Sequence, residues 1–228
     1  MLKSKELRVK AWNSLKGKYW MAVLVTFVIG ILASVGGSFV STAKDIINIL
    51  TEVDPAEMDS TMEIGAMVLI GISSAFSLVG LVISLFVGNA AVVGGSNYFI
   101  KNTDSKPSFA AAFSGFKVKY GRNIGTLLLV GIKTTLWTCL FIVPGIIKMY
   151  EYSIIPYILA DDDTITCKEA FKKAKEMMKG NKWRLFKLEF SFIGWALLSA
   201  LTCGIGAIFL APYVEAAKAE FYVELKNK

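Results

Sequence analysis

The sequence contains no histidine and only three cysteines among its 228 residues. Histidine is the commonest metal ligand and general base, so its absence removes most zinc, haem and acid–base chemistry. Cys139, Cys167 and Cys203 are odd in number and widely spaced, and they fit no metal or redox motif. We expect them to be small apolar side chains. A Cys139–Cys203 bridge is an alternative that nothing in the sequence requires.

Two further enzymatic signatures are missing. No glycine-rich loop could cradle a phosphate, and no serine lies in a nucleophile elbow. Asp161, Asp162 and Asp163 are consecutive, so their side chains do not converge on a metal, and we expect them to complement a helix amino terminus. The sequence therefore predicts that the protein is not an enzyme and that it holds no metal and no cofactor.

Charge is also missing from long stretches of the chain. No charged residue occurs in Met21–Val40, Ile64–Ile100 or Phe190–Val214, and only three occur in 124–159. With 54% hydrophobic residues, this is the composition of an integral membrane protein. We expect the first run to be an uncleaved anchor and not a signal peptide, because the rest of the chain is itself apolar.

The cations predict the topology. Of the 25 lysines and arginines, 22 lie in four segments, 1–20, 101–122, 161–187 and 215–228, whereas 44–63 has one lysine and six acids. The positive-inside rule places the four basic segments and both termini in the cytoplasm and 44–63 outside. An even number of crossings must then separate each basic segment from the next. The turns within the later runs are predicted at Pro144–Gly145 and at Gly204 and Gly206.

The predicted fold is an all-α membrane protein of about six transmembrane helices in three hairpins. Residues 1–228 form one polytopic domain, and a basic amphipathic helix precedes each hairpin on the anionic inner leaflet. The predicted spans are 20–42, 64–88, 124–143, 146–160, 183–203 and 206–224. The predicted interfacial helices are 2–16, 108–120 and 167–179.

A repeated sequence motif supports the prediction of the interfacial helices. "LKGKYW" at Leu15–Trp20 matches "MKGNKW" at Met178–Trp183, and Glu6, Lys10 and Ala11 match Glu169, Lys173 and Ala174 at the same spacing. Thr166 and Glu169 form a capping-box pattern, and Gly180 suits a helix end. Trp20 and Trp183 are predicted to anchor the following span at the interface. A weaker third copy begins at Ser108.

Lys133 and Glu151 are the clearest ionisable residues inside predicted spans. Such residues are candidate sites, and an ion pair between neighbouring helices is the simplest interpretation, with a proton- or substrate-coupling pair and snorkelling of Lys133 as the alternatives. Lys148 and Glu151, at i and i+3, could also pair.

Several stretches resemble a bacterial family of multi-spanning membrane proteins of unknown function, DUF975. They include "LKGKYW", "FSGFK", "LWTCLFIVPGIIKMYEYSIIPYILADD", "KEAFKKAKEMMKGNKWRLFKLEFSFIGWALLS" and "LTCGIGAIFLAPY". The resemblance covers nearly the whole chain and implies a polytopic protein of the bacterial cytoplasmic membrane. It assigns no catalytic or ligand residue.

Two hypotheses about function follow. The first is a non-enzymatic membrane component that organises lipid or recruits a partner, as a homo-oligomer or beside another membrane protein. The second is a small transporter or permeability factor with Lys133 and Glu151 as its polar centre. The first is favoured because the apolar runs lack the several polar groups of a midplane substrate site. Nucleic acid is not an expected partner, since the cations lie where the membrane rule places them.

Overall fold

The computed structural model describes residues 2–51, 60–105, 107–117, 119–202 and 204–228, and nearly all of them are helical. No β-strand occurs in these ranges. A 3-10 turn at Phe109–Phe113 and a π-helical turn at Ser84–Gly88 accompany the α-helices. The α-helices are α1 Ser4–Leu15, α2 Tyr19–Thr51, α3 Ser60–Ile83, α4 Asn89–Asp104, α5 Ser114–Lys117, α6 Tyr120–Leu140, α7 Ile142–Tyr152, α8 Ile155–Asp161, α9 Cys167–Met178, α10 Lys182–Phe190, α11 Ile193–Leu201 and α12 Ile205–Lys226.

The chain divides into two compact units. One unit comprises residues 1–29 and 90–228, and the other comprises residues 30–89. The smaller unit holds most of α2, all of α3 and the π-helical turn. Its serines on α3 donate to carbonyls of their own helix, as Ser73 does to Leu69 at 2.6 Å and Ser74 to Ile70 at 2.7 Å, so they need no partner from outside it. Residues 52–59, the middle of the predicted outer loop, lie outside the described residues, and the two ends of that loop belong to α2 and α3.

The all-α class is confirmed, but the six-span count is not. Ile64–Asp104 and Tyr120–Leu140 are long and apolar enough to cross a membrane. A third candidate results if Ser4–Leu15 and Tyr19–Ser34, which meet at 101°, count as one broken span. Of the remaining predicted spans, 146–160 and 183–203 do not form continuous helices of sufficient length in the described residues. The span 206–224 lies in α12, which is long enough, but the carboxyl-terminal half of α12 is buried in protein.

Two of the predicted spans are interrupted. The span 146–160 is divided into α7 and α8 at Ser153 and Ile154, and the span 183–203 into α10 and α11 at Ser191 and Phe192. The longest of these four pieces, α7, has 11 residues, which corresponds to about 16 Å at 1.5 Å per residue. None of these pieces alone reaches across about 30 Å of hydrocarbon.

The turns of the last two hairpins differ in part from prediction. The α6–α7 connection is Phe141, in extended conformation, so the predicted turn at Pro144 and Gly145 lies three residues too late. Pro144 is tolerated in the first turn of α7, where its missing N–H is not needed. Gly145 is helical, and a Cβ there would lie 2.6 Å from the Cα of Thr138 on α6. Gly204 has φ +85° and does turn the chain as predicted, while Gly206 belongs to α12.

The core of the larger unit lies at the bases of these hairpins. Its buried side chains come from α1, α4, α8, α9, α10 and the second half of α12, with Leu7, Tyr98, Ile158, Leu188 and Phe221 among them. The ion pair of Arg184 and Glu224, at 2.9 Å, joins α10 to α12. Both partners also bind Leu2, whose carbonyl accepts from Arg184 at 2.8 Å and whose N–H donates to Glu224 at 3.0 Å. The amino-terminal helix is thereby held against the carboxyl-terminal one.

The two copies of the repeated motif have the same local structure. α1 and α9 both have 12 residues, and at the start of each the N-cap backbone N–H donates to the matching glutamate, Glu6 at 2.9 Å and Glu169 at 2.8 Å. Each helix ends in a type II turn, because Gly17 and Gly180 have φ of +77° and +76° after an extended lysine. The turns are closed by bonds of 3.0 Å from Lys18 N to Leu15 O and of 3.1 Å from Asn181 N to Met178 O.

The buried faces of α1 and α9 also correspond. Leu7, Ala11 and Leu15 in the first copy match Ala170, Ala174 and Met178 in the second, and all six are at most 2% exposed. They pack into the protein core and not outward. The predicted bounds of these two helices are therefore close to those observed, while Val9 and Trp12 on α1 are about half exposed. A position on the membrane surface stays a prediction.

The third copy is built differently. Residues 108–120 form the 3-10 turn and the short α5 instead of one amphipathic helix, and Lys119, with φ +43°, replaces the glycine before α6. Ser108 is the N-cap by position, although its side chain makes no capping hydrogen bond. The cause is a close approach to α4: a Cβ on Gly94 would lie 1.9 Å from the carbonyl oxygen of Ala112, and one on Gly115 would lie 2.0 Å from that of Ala90.

We predict that Gly94→Ala destabilises the protein, because the added methyl group would force α4 and the 3-10 turn apart. Overpacking of this kind costs about 1–3 kcal/mol. Gly125→Ala on α6 is the matched control, since no atom lies within 4 Å of its added Cβ. Alanine there should be neutral or should stabilise by up to about 1 kcal/mol. Thermal unfolding in detergent measures both; equal midpoints for the two variants would contradict the predicted contact.

Candidate functional site

The tips of two hairpins expose large apolar side chains. In the α6–α7 hairpin, Leu140, Phe141, Ile142 and Val143 are between 65% and 70% exposed. In the α11–α12 hairpin, Leu201 is 81% and Ile205 63% exposed. Contiguous apolar surface of this kind marks contact with lipid or with another apolar surface.

Charge is absent from both tips. No charged residue occurs in 134–147, between Lys133 and Lys148, or in 190–214, between Glu189 and Glu215. Each charge-free leg is therefore about 10 Å long in the α6–α7 hairpin and about 18 Å in the α11–α12 hairpin at 1.5 Å per residue. A pair of legs that each cross about 30 Å of hydrocarbon needs about 40 apolar residues. The charge-free part of each hairpin falls well short of that length, although α6 as a whole, with Lys133 inside it, is long and apolar enough to cross.

Glu151 lies at the base of the α6–α7 hairpin and is 3% exposed. Its carboxylate binds the ammonium group of Lys148, one turn earlier on α7, at 2.7 Å, and that of Lys182 on α10. Lys133 instead places its Nζ 3.8 Å from the centre of the Phe171 ring on α9, a cation–π contact. The structure thus does not bring the predicted pair of Lys133 and Glu151 together, because α10 and α7 supply the cations nearest to Glu151. The additional prediction that Lys148 and Glu151 pair is confirmed.

A second polar network joins the bases of the two hairpins. Lys218 on α12 lies 3.3 Å from Glu189 on α10 and 3.7 Å from Glu215. The hydroxyl of Tyr150 donates to Glu189 at 2.9 Å, and that of Tyr157 donates to Glu215 at 2.8 Å. Each carboxylate therefore has a cation and a hydroxyl as partners, so the network is satisfied within the protein and holds α7, α8, α10 and α12 together.

Arg122 fixes the loop between α8 and α9 to the start of α6. Its guanidinium donates to the carbonyl oxygens of Leu159 and Asp162, both at 3.0 Å, and of Ile165 at 3.2 Å. Two of these carbonyls belong to the carboxyl end of α8, where helical donors are lacking and a cation is favourable. One side chain thus replaces several missing hydrogen bonds.

The three consecutive aspartates do not act together. Asp161 accepts from Tyr222 at 2.9 Å and from Lys226 at 2.8 Å on α12. Asp162 accepts from the hydroxyl and the N–H of Thr164, and these bonds hold the pKa of its carboxyl below the ordinary value. Glu169 likewise has a lowered pKa, because it accepts from the N–H of Thr166. In the described residues no group of acids or cysteines is arranged to hold a metal ion.

An aromatic groove of about 530 Å³ lies between the α1–α2 corner and the α11–α12 hairpin. We call it the aromatic groove; its main lining residues are Trp12, Tyr19, Trp195, Leu198, Phe209 and Tyr213. The hydroxyl of Tyr19 donates to Phe209 O at 2.6 Å, and that of Tyr213 donates to Arg8 O at 3.2 Å. The rings of Trp12 and Tyr213 meet edge to face at 5.9 Å. These contacts join α1 and α2 to α12 beside the groove.

The two predicted anchor tryptophans are at the surface. Trp20 is 74% exposed and contacts Phe209 edge to face at 6.2 Å, and Trp183 is 62% exposed and stacks on Phe186 at 4.8 Å. Their exposure is compatible with a membrane interface, and the anchoring role stays a prediction. Cys203 lies outside the described residues, and with it the Cys139–Cys203 bridge.

Sequence reasoning missed the aromatic groove and most of the polar contacts that join the hairpin bases, which we call the base network. The spacing of Glu215 and Lys218, at i and i+3, was a local signal for their pairing. Glu189 and Arg184 carry no such signal, because their partners on α12, Lys218 and Glu224, are 29 and 40 residues away in the sequence. The groove brings together aromatic residues from both ends of the chain, which only folding reveals.

Comparison with known proteins supports the resemblance noted above. A family model described as "Protein of unknown function (DUF975)" matches residues 140–228. This range includes α7 to α12 with the base network and the α11–α12 hairpin, and it is shorter than the stretches that carry the resemblance in the sequence. Neither the curated proteins nor the solved structures yielded a match.

We predict that Arg122→Met destabilises the protein by about 3 kcal/mol, because three partly buried carbonyls lose charge-assisted hydrogen bonds. Arg122→Lys keeps the charge but lacks the planar fork of donors, so it should recover only part of the loss. Thermal unfolding of the three proteins in detergent provides the measurement. An Arg122→Met variant as stable as the unchanged protein would show that water replaces these bonds at no cost.

Proposed function

We propose that the protein is a non-enzymatic membrane component that organises lipid by inserting two apolar hairpins into one leaflet. The α6–α7 and α11–α12 hairpins enter the cytoplasmic leaflet without crossing it. Their charged bases lie at the anionic inner surface. The protein thus widens one leaflet without widening the other, which changes lipid packing and curvature locally.

One observation carries the proposal: the tips are apolar and exposed, and the charge-free legs are only about 10 Å and 18 Å long at 1.5 Å per residue. A hairpin that crossed the bilayer twice would expose its tip to water, where Leu140–Val143 would be unfavourable by roughly 25 cal/mol per Å² of apolar surface. It would also draw Lys133 and Lys148 into the hydrocarbon, at a cost of several kcal/mol each. Half-depth insertion avoids both costs.

The distribution of cations fits half-depth hairpins as well as crossing ones. A hairpin that enters and leaves on the same side keeps 101–122, 161–187 and 215–228 together, as the positive-inside rule requires. The rule therefore does not demand six crossings. The topology with cytoplasmic termini is retained in the proposal, and so is its anionic inner leaflet as the partner surface.

The transporter hypothesis has less support. It relied on a polar centre formed by Lys133 and Glu151, and these residues contact different partners, Phe171 for the lysine and two other lysines for the glutamate. The remaining carboxylates at the hairpin bases are bound by Lys218 and two tyrosines. Such groups bind each other and not a substrate.

The native Cys139, near the tip of α6, tests the insertion depth. In a Cys167→Ala, Cys203→Ala background we expect an impermeant maleimide to leave Cys139 unlabelled in intact cells and in opened membranes, and to label it only in detergent. Two further single-cysteine variants serve as controls: one carries only Asp54→Cys in the predicted outer loop, and the other keeps only native Cys167 for the inner side. Labelling of Cys139 from outside intact cells would establish a crossing hairpin instead.

Reconstitution tests the effect on lipid. Phe141→Asp with Leu201→Asp puts a carboxylate on each tip, which costs about 2.5–3.5 kcal/mol per charge in hydrocarbon. Anionic vesicles containing the unchanged protein should be smaller or more tubular than protein-free vesicles by electron cryomicroscopy, and the double variant should lose this effect. Phe190→Asp, an exposed apolar residue beside Glu189 at the base, is the control and should keep it. Equal vesicle shapes for all three proteins would contradict lipid organisation by the tips.

A further inference from the structure

The aromatic groove has the size and lining of a ligand site. Its volume of about 530 Å³ falls within the range of small-molecule sites. Several lining side chains are exposed although they are large and apolar, including Trp195 at 55%, Leu198 at 56% and Trp12 at 48%. All of them lie on or beside the α11–α12 hairpin that the proposed function puts into the leaflet.

The internal repeat shows that the groove's aromatic residues are not needed for local structure. With the offset of 163 residues, Trp12 corresponds to Lys175 and Tyr19 to Lys182. The second copy nevertheless forms the same 12-residue helix, the same turn and the start of the next helix. The fold of this unit therefore tolerates lysine at both positions, and the aromatic side chains of the first copy instead make the contacts with α12 that border the groove.

Positive charge accompanies the groove. Residues 1–20 carry six cations against one acid, Glu6. Lys5 and Lys16 lie about two turns before and one turn after Trp12, so they share its side of α1, and both are exposed. An apolar cleft beside exposed ammonium groups is complementary to a molecule with a hydrocarbon chain and an anionic head.

We propose that the aromatic groove binds one acyl chain of an anionic phospholipid, whose phosphate lies against Lys16, while Lys5, about 16 Å farther along α1, adds to the positive potential. The inference rests on the proposed function, because the lipid must come from the leaflet that the hairpin enters. A bound lipid would couple the first copy of the repeat, through α1, to the α11–α12 hairpin. The protein would then select anionic lipid as well as displace it.

Native mass spectrometry of the full-length protein in detergent tests this, with phosphatidylglycerol titrated against phosphatidylcholine of the same chains. We expect one phosphatidylglycerol to bind more tightly than any phosphatidylcholine. Leu198→Trp fills the groove and should weaken that binding by about tenfold or more. Leu197→Trp is the matched control, since Leu197 is the adjacent exposed leucine, at 64%, outside the groove lining, and should leave binding unchanged.

The repeat supplies controls for the charges and for folding. Lys5→Glu with Lys16→Glu should reduce the preference for phosphatidylglycerol, whereas the equivalent pair of the second copy, Lys168→Glu with Lys179→Glu, should not. Trp12→Lys introduces the second copy's residue and should weaken binding in a helix that tolerates it. Equal lipid affinities for Leu198→Trp and Leu197→Trp would overturn the proposal, and so would equal affinities for the two lysine pairs.

A second copy of the chain is the other occupant that the measurement detects. If Leu198→Trp dissociates a dimer that Leu197→Trp retains, the groove is a protein interface and the lipid proposal is wrong. Protection of Cys139, measured in intact cells and opened membranes, separates this inference from the proposed function. If Cys139 stays protected but the protein shows no preference for phosphatidylglycerol, only the lipid-binding proposal is overturned. If Cys139 is labelled from outside but phosphatidylglycerol still binds specifically, only half-depth insertion is overturned.

Discussion

The exclusion of charge from hydrocarbon is the constraint on which the larger unit depends. The ionic groups nearest the apolar tips, Lys133 and Lys148 beside one tip and Glu189 and Glu215 beside the other, all find partners at the hairpin bases. Because these partners come from α7, α9, α10 and α12, satisfying the charges also assembles the helices. The apolar tips have no such requirement and extend from this base with their side chains exposed.

The bases of the hairpins are polar and joined by many contacts between helices, whereas the tips are apolar and free of charge. Arg122, Arg184 and Lys218 each bind groups from other helices, and these three side chains tie the start of α6, the amino terminus and α12 into one structure. Small residues allow the legs of each hairpin to approach, as Gly145 does against Thr138 and Gly206 against Ser199. The larger unit thus has a base joined by ion pairs and hydrogen bonds, from which apolar legs extend with exposed side chains.

The internal repeat separates what the fold needs from what the site needs. Glutamate at the helix start, small or apolar residues at three buried positions and glycine at the turn are common to both copies. Trp12 and Tyr19 are not, and they line the aromatic groove. One supersecondary unit therefore occurs twice with different surfaces: the first copy presents aromatic side chains where the second copy has lysines.

The sequence by itself determined the helical class, the apolar runs, the two 12-residue helices and the turns at Gly17 and Gly180, because periodicity, capping and positive φ are local properties. It did not determine the breaks at Ser153 and Ser191, the partners of Glu151 or the groove. The break positions depend on how α7 and α10 pack at the hairpin bases, and a carboxylate binds whichever cation the fold brings nearest. Lys182 is 31 residues from Glu151 and Trp12 is 201 residues from Tyr213 in the sequence, so only the tertiary structure could decide that they meet.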